Sequence, residues 1–258
     1  MRLRFLGTGT SFGVPVIGCA CDVCTSDDPR DKRTRHSLLI EEAGRRLLID
    51  TPPELRLQLL AARVDRLDAV FMSHEHADHT HGLDDLRIFT LRDRRPLPFF
   101  MAAEFADEIQ RRFGYIWGGA KQQPMSAVPE LELRTFTDRE SVSAAGFDLT
   151  AIAFPHGVYR SYGLRVGNLG VIIDGKTVPE DAVDLLSDLD VLVINALWFG
   201  NPHPGHFSIE EAVETSRRLR ARRTYLTHIA HRSSHEEIQS RLPEGVWAAY
   251  DGLEVEVE

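Results

Sequence analysis

Short apolar runs closed by turn residues recur along this chain, and most are of strand length. Arg2 to Leu6 alternates and runs into Gly7-Thr8-Gly9. Ser37 to Glu41 and Arg45 to Ile49 read as a hairpin turned at Ala43-Gly44. Further strands are expected at Leu67–Met72, Pro96–Ala102, Leu131–Phe136, Phe147–Phe154, Val191–Leu197 and Arg223–Leu226, with a hairpin of Tyr162–Val166 and Leu169–Ile173 around Gly167-Asn168. One or two short strands close the chain within Trp247–Val257. Helical spacing appears at Glu54–Leu60, with Pro just inside its start, and at His81–Arg92 and Ala103–Phe113. Tyr115 to Gly119 reads as a loop with exposed aromatic content. Ser208 with Glu211 forms a capping box that opens a helix to Leu219. Strands and helices alternate twice, before and after about Leu131, which predicts two sheets packed face to face with helices outside.

Composition narrows the class. With 258 residues, 43% hydrophobic and 27% charged, the chain reads as one globular domain over 1–258. No apolar run approaches the roughly 18–20 residues of a membrane span, and the N-terminal apolar stretch is too short for a signal peptide, so no membrane partner and a cytoplasmic location are expected. The net charge of −9 argues against a long polyanion such as nucleic acid as the partner. The three cysteines lie together at Cys19, Cys21 and Cys24, which does not fit a disulfide framework.

Candidate chemistry centres on Ser73-His74-Glu75-His76-Ala77-Asp78-His79, directly after the Leu67–Met72 strand. His74 and His76 are two apart and project to one side of an extended segment, so they can share an ion. Asp78 and His79 follow the turn and suit a second ion at about 3.5–4 Å from the first. His156 ends a strand before Gly157 and supplies a third ligand to the first pair. Asp174, at the mouth of an apolar strand, has two oxygens that can bridge both ions, although Asp174-Gly175 is also an ordinary turn signal. His228, at another strand end, completes the second set with Asp78 and His79. The cysteines supply three thiolates where a closed zinc site needs four ligands, and His231 is the candidate fourth, giving a zinc loop at 18–25. Gly7-Thr8-Gly9 is expected to be a tight turn of backbone on backbone, with a phosphate cradle as the other option. The basic run Lys32-Arg33-Arg35 is expected to be a solvated loop, or else a cationic rim. His81 is taken as a polar residue on a helix's first turn.

His74-x-His76-x-Asp78-His79 resembles the signature of the metallo-β-lactamase fold hydrolases. Gly7-Thr8-Gly9, the segment Gly13 to Cys24 and Leu226-Thr227-His228-Ile229-Ala230-His231 together resemble the PhnP-type phosphodiesterases of that superfamily. The resemblance implies an α/β (α+β) fold, an αβ/βα four-layer sandwich of two mixed β-sheets flanked by helices. It implies two divalent ions, zinc or manganese with iron as a further option, in the His74, His76, His156 and Asp78, His79, His228 sets bridged by Asp174. It places one structural zinc on Cys19, Cys21, Cys24 and His231. Asp50, in Asp50-Thr51-Pro52-Pro53, matches a residue that orients the ligands without coordinating, and His206 matches a histidine near the leaving group, here expected to be the general acid. Asn195 stands where related sequences often carry an acidic residue, and His203 has no assigned role. The implied activity is attack of a metal-bridging hydroxide on a small, cyclic or phosphoribosyl-type phosphodiester, with Asp78 and His206 as catalytic residues. A transfer-RNA 3′-processing nuclease, a pyrroloquinoline-quinone-biosynthesis hydrolase and a non-catalytic metal-binding protein are the alternatives, and a homodimer is left open.

Overall fold

The computed structural model describes residues 1–117 and 128–258. The first half carries strands β1 (Arg2–Gly7), β2 (Ser37–Glu42), β3 (Arg45–Ile49), β4 (Ala69–Met72), β5 (Leu97–Ala102) and β6 (Leu131–Phe136). The second half carries β7 (Ser141–Ala144), β8 (Phe147–His156), β9 (Tyr159–Val166), β10 (Leu169–Ile172), β11 (Val191–Asn195), β12 (Arg223–Thr227), β13 (Val246–Ala248) and β14 (Glu254–Glu256). Among the described residues these form two seven-stranded sheets, ordered β14-β1-β2-β3-β4-β5-β6 and β13-β12-β11-β10-β9-β8-β7. Each sheet is mixed: β3 through β6 and β10 through β13 pair in parallel, and the other pairings are antiparallel.

The burial pattern explains the strands. Parallel strands covered on both faces are apolar throughout, as in β4, β10 and β11, where every residue is buried. Between the sheets, Phe71 stacks on Phe136 with ring centroids 5.0 Å apart, and Phe136 meets Tyr162 of the second sheet edge-on at 5.4 Å. The helices are α1 (Asp22–Thr25), α2 (Leu55–Ala61), α3 (Ala77–Thr80), α4 (Arg87–Asp93), α5 (Ala103–Arg112) and α6 (Gly114–Trp117), then α7 (Val183–Leu186), α8 (Ile209–Leu219) and α9 (His235–Arg241), of which α2, α5, α8 and α9 pack against the sheets. Leu55, Phe89, Phe105 and Ile109 join the core of the first sheet, while Ile209, Ala212 and Ile238 close a second core over Ile194 and Leu226.

Several expectations need correction. The helix expected over His81–Arg92 is broken into a 3-10 turn at Leu83–Leu86 and then α4. Gly82 causes the break: its N–H bonds Thr51 O at 2.8 Å, and an added Cβ would lie 2.1 Å from Pro52 O. Both prolines precede α2, whose N-cap is Glu54. Gly114–Trp117 is helical where a loop was expected, and Gly118 and Gly119 lie outside the described residues. β7 and α9 carry too little periodicity to be read in advance. Arg33 is no solvated residue: it is 3% exposed and donates to Thr8 Oγ1 at 2.9 Å. Gly7 behaves as the tight-turn reading requires, since a Cβ there would meet Arg35 O at 2.0 Å.

Phe71 is fully buried on the strand that feeds the histidine segment. Phe71→Ala should lower stability by about 3–5 kcal/mol in denaturant unfolding, through lost burial and the cavity left behind.

Candidate metal centre

Strand ends converge on one edge of the sandwich, where side chains can leave the ladder and enter a cleft. Asp50 follows β3, Ser73 and His74 follow β4, His156 ends β8, Asp174 lies just past β10, and His228 follows β12. The short helix α3 adds Asp78 and His79. Asp50, Asp174 and His228 turn in through left-handed backbone, with φ of 62°, 49° and 60°. Such conformations cost about 1–3 kcal/mol each and persist where the surroundings impose them.

The side chains meet in two sets. His74, His76 and His156 form one, and Asp78, His79, Asp174 and His228 the other, with ligand atoms in each set within 4.8 Å of one another. His79 Nε2 lies 3.3 Å from Asp78 and 3.2 Å from Asp174 Oδ2, and His228 Nε2 lies 3.2 Å from Asp174 Oδ1. Tetrahedral N and O ligands about 2.0–2.1 Å from an ion stand roughly 3.3–3.4 Å apart, so these spacings fit a metal. His74 Nε2 is 3.7 Å from Asp174 Oδ2, which puts that carboxylate between the two sets. The buried Nε2 atoms of His74 and His79 and Oδ1 of Asp174 have no hydrogen-bond partner, as ligand atoms awaiting a cation would.

Asp50 orients this arrangement. His79 Nδ1–H donates to Asp50 Oδ2 at 2.6 Å. Ser73 Oγ–H donates to the same oxygen at 2.8 Å and accepts from His74 Nδ1–H at 2.9 Å. One carboxylate thereby fixes both rings with Nε2 turned inward. His156 is set the same way by donating Nδ1–H to Gly205 O at 2.9 Å. Burial pushes His74, His76 and His228 below the ordinary imidazole value, which leaves them neutral, as ligands must be. Burial acts on His79 in the same direction, but the carboxylates of Asp78, Asp174 and Asp50 carry it well above. Burial also opposes ionisation of Asp174, and His228, His79 and His206 together hold its carboxyl well below the usual range.

Cys19, Cys21, Cys24 and His231 form a separate set. Their sulfurs stand 3.5, 3.4 and 3.4 Å from His231 Nδ1. A tetrahedral zinc with sulfur at about 2.3 Å and nitrogen at about 2.0 Å predicts an edge near 3.5 Å. The Cys24 backbone and then His231 pull the Cys21 thiol down to about 6, while burial pushes Cys24 up to about 11.

His206 sits beside the second set, its Nδ1 3.9 Å from Asp174 Oδ1. Asn195 Oδ1 accepts the Gly175 N–H at 2.9 Å, which turns Asn195 Nδ2 toward His206 Nδ1 at 3.5 Å. His81 is exposed and faces Phe113, away from the ligand sets. Sequence reasoning missed Ser73, whose position between strand and histidine was its one signal. It also missed the buried His36, whose Nδ1 lies 3.2 Å from Thr227 Oγ1 and whose ring centroid is 6.0 Å from that of His79. A cavity of about 910 Å³ opens over the ligands and is lined further by Phe12, Tyr159, Trp198, His203 and Arg232. No described helix is long and apolar enough to cross a membrane.

Residues 45–229 match the beta-lactamase superfamily domain. A crystal structure of a diphosphatase from the PhnP family is 35% identical, superposes with a TM-score of 0.91, and is matched over 100% of this chain and 98% of that one. Zinc-bound PqqB from Methylobacterium extorquens shares the fold at 20% identity and a TM-score of 0.80, with both chains fully covered. An octanoyltransferase of Porphyromonas gingivalis is 36% identical over all of this chain, which spans only 52% of that relative. Two mixed sheets flanked by helices, a superfamily match across most of the chain and a full-length relative establish the assignment: this chain belongs to the PhnP family of metallo-β-lactamase-fold hydrolases.

Proposed function

We propose that the chain is a dinuclear metal-dependent phosphodiesterase acting on a small phosphodiester. The observation that carries this reading is Asp174, whose two oxygens face different histidine sets in one buried cleft. Such sharing suits two cations held a few ångströms apart. Bound at His74, His76, His156 and at Asp78, His79, His228, with Asp174 between, two divalent ions would supply Lewis acidity toward a phosphate oxygen and the attacking water.

The chain's own groups do the rest. Asp50 and Ser73 keep the rings of His79 and His74 from rotating. Asn195 Nδ2 stands 3.5 Å and Asp174 Oδ1 3.9 Å from His206 Nδ1, which leaves Nε2 to face the departing ester oxygen. Burial pushes His206 down to about 3 against the pull of Asp174, so as general acid it would take up a proton when the anionic ester binds and give that proton to the leaving oxygen, returning to neutral imidazole. The resemblance to PhnP-type phosphodiesterases favours a cyclic phosphodiester of phosphoribosyl type as the first substrate to test. The diphosphatase at 35% identity adds phosphoanhydrides as a second substrate type to screen.

Metal-loaded protein should hydrolyse bis(p-nitrophenyl) phosphate, and Asp78→Ala should abolish the reaction; turnover that persists in the variant would count against the reading. His206→Ala should slow esters with alkoxide leaving groups by about 10²–10⁴-fold and p-nitrophenyl esters much less, and equal losses for both would remove its role as acid. Asp50→Asn should weaken metal affinity by about 10–100-fold in chelator competition while the fold is kept. Cys24→Ser should lower the zinc content by one ion per chain and reduce the melting temperature, both measurable on purified protein.

A further inference from the structure

All three cysteines of the chain lie in the thiolate set, but their surroundings differ. Cys24 is buried, with 5% exposure, and its sulfur accepts the Val16 N–H at 3.3 Å. Cys19 and Cys21 are only half-buried, so solvent reaches their side of the set. Cys21 and Cys24 also share one helical turn: Cys21 is the N-cap of α1, and the Thr25 N–H bonds Cys21 O at 3.0 Å. Residues three apart in such a turn have Cα atoms about 5 Å apart, inside the window of roughly 4.4–6.8 Å that a disulfide spans without backbone movement. We propose that Cys21 and Cys24 are a peroxide-sensitive pair: hydrogen peroxide joins them in a disulfide, dismantles the thiolate set and releases the N-terminal loop that lines the cavity.

The chemistry balances with peroxide as the one oxidant. The half-exposed Cys21 thiolate attacks a peroxide oxygen, the O–O bond breaks, hydroxide departs and a sulfenic acid is left on Cys21. The Cys24 thiolate then attacks that sulfur, the S–S bond forms, and the sulfenic oxygen departs as a second hydroxide. Two protons from solvent turn both hydroxides into water, so the two sulfurs lose two electrons and one peroxide gains them. Only Cys19 and His231 are then left of the four ligands, too few for a closed zinc site.

The loop between has little else to hold it. Val14 exchanges backbone hydrogen bonds with Arg33, both at 2.8 Å, and this anchors the near end. Beyond it, Ile17 is 99% exposed, and the Cys19 N–H bonds Val16 O within the loop itself. Thr10, Ser11 and Phe12 line the cavity from this side, and His231 and Arg232 line it from the other. Oxidation at the cysteines therefore reaches the cavity through both segments that the thiolate set joins.

The test treats the zinc-loaded full chain with hydrogen peroxide and compares it with untreated protein. Released zinc is read with a chromogenic chelator, free thiols are counted, and the bridge is mapped by mass spectrometry of non-reduced peptides. Peroxide should release one zinc per chain, consume two of the three thiols and map the bridge to Cys21 and Cys24. Chymotrypsin cleavage after Phe12 should become about tenfold faster, as a loop freed of its anchor opens more often. Dithiothreitol followed by zinc should reverse each change. Cys19→Ser should still form the bridge, whereas Cys21→Ser should keep its two remaining thiols unbridged. Thiols that survive peroxide, a bridge that includes Cys19, zinc retained after the bridge forms or an unchanged cleavage rate overturns the proposal. Metal content, thiols and proteolysis are all read without turnover, so the outcome stands apart from the phosphodiesterase reading.

Discussion

A carboxylate with 2% exposure cannot stay ionised in a protein interior unless positive charge or strong donors surround it. Around Asp174 stand imidazoles from two other segments, His79 at 3.2 Å and His74 at 3.7 Å from the histidine segment after β4 and His228 at 3.2 Å, and of these only His79 is carried well above the ordinary imidazole value. Those segments belong to opposite sheets, so the two halves of the sandwich meet at a polar point as well as across their apolar core. Neutral imidazole cannot satisfy the carboxylate in full, as the orphaned Asp174 Oδ1 shows. Cations between the rings and the oxygens would resolve both deficits together, which is why the site is at once a structural liability and a binding centre.

Asp50 is the second buried carboxylate on the same edge, and its job differs. Both of its oxygens accept hydrogen bonds, from Ser73 N and Oγ and from His79 Nδ1, and it belongs to neither set of converging ligand atoms. Through Ser73 it also governs His74, which lies in the other ligand set. The orientation of both sets therefore depends on a residue that touches neither cleft nor substrate. The left-handed backbone at Asp50, Asp174 and His228 is tolerated because these contacts over-determine it.

Much of this was legible because it is local or chemically distinctive. His74 to His79 sit within one turn of a strand end, and three cysteines in six positions have few uses other than a metal. His231 could be paired with them because His228, three residues earlier, was already claimed by a strand end. The two-sheet layering was readable from the alternation of strand and helix patterns, whereas the role of Asp50 came from family resemblance. What stayed hidden depends on distant contacts. Arg33 looks like any charged loop residue until Thr8 and Ala249 O close over it. The break at Gly82 is set by the close approach of Pro52, thirty positions earlier. Arg232 and Trp198 are neighbours only because β11 and β12 run in parallel and end at the same edge.

The placement of the thiolate set bears on what it does. The cysteines and His231 are more than 200 residues apart in sequence, the Cys19 pair by 212, and they close a loop that contains nearly the whole sandwich. β14 already pairs with β1, so the sheet alone brings the chain ends together. A tether across so long a loop also restricts the unfolded chain, whatever the sheet already pairs in the fold. It has a local effect as well. The tether lies between Thr10, Ser11 and Phe12 on one side and Arg232 on the other, all of which line the cavity mouth. The N-terminal loop has few apolar anchors, with Phe12 70% and Ile17 99% exposed. An ion held by Cys19, Cys21, Cys24 and His231 would give that loop the rigidity its composition lacks, and the loop it steadies lines the cavity over the ligand sets.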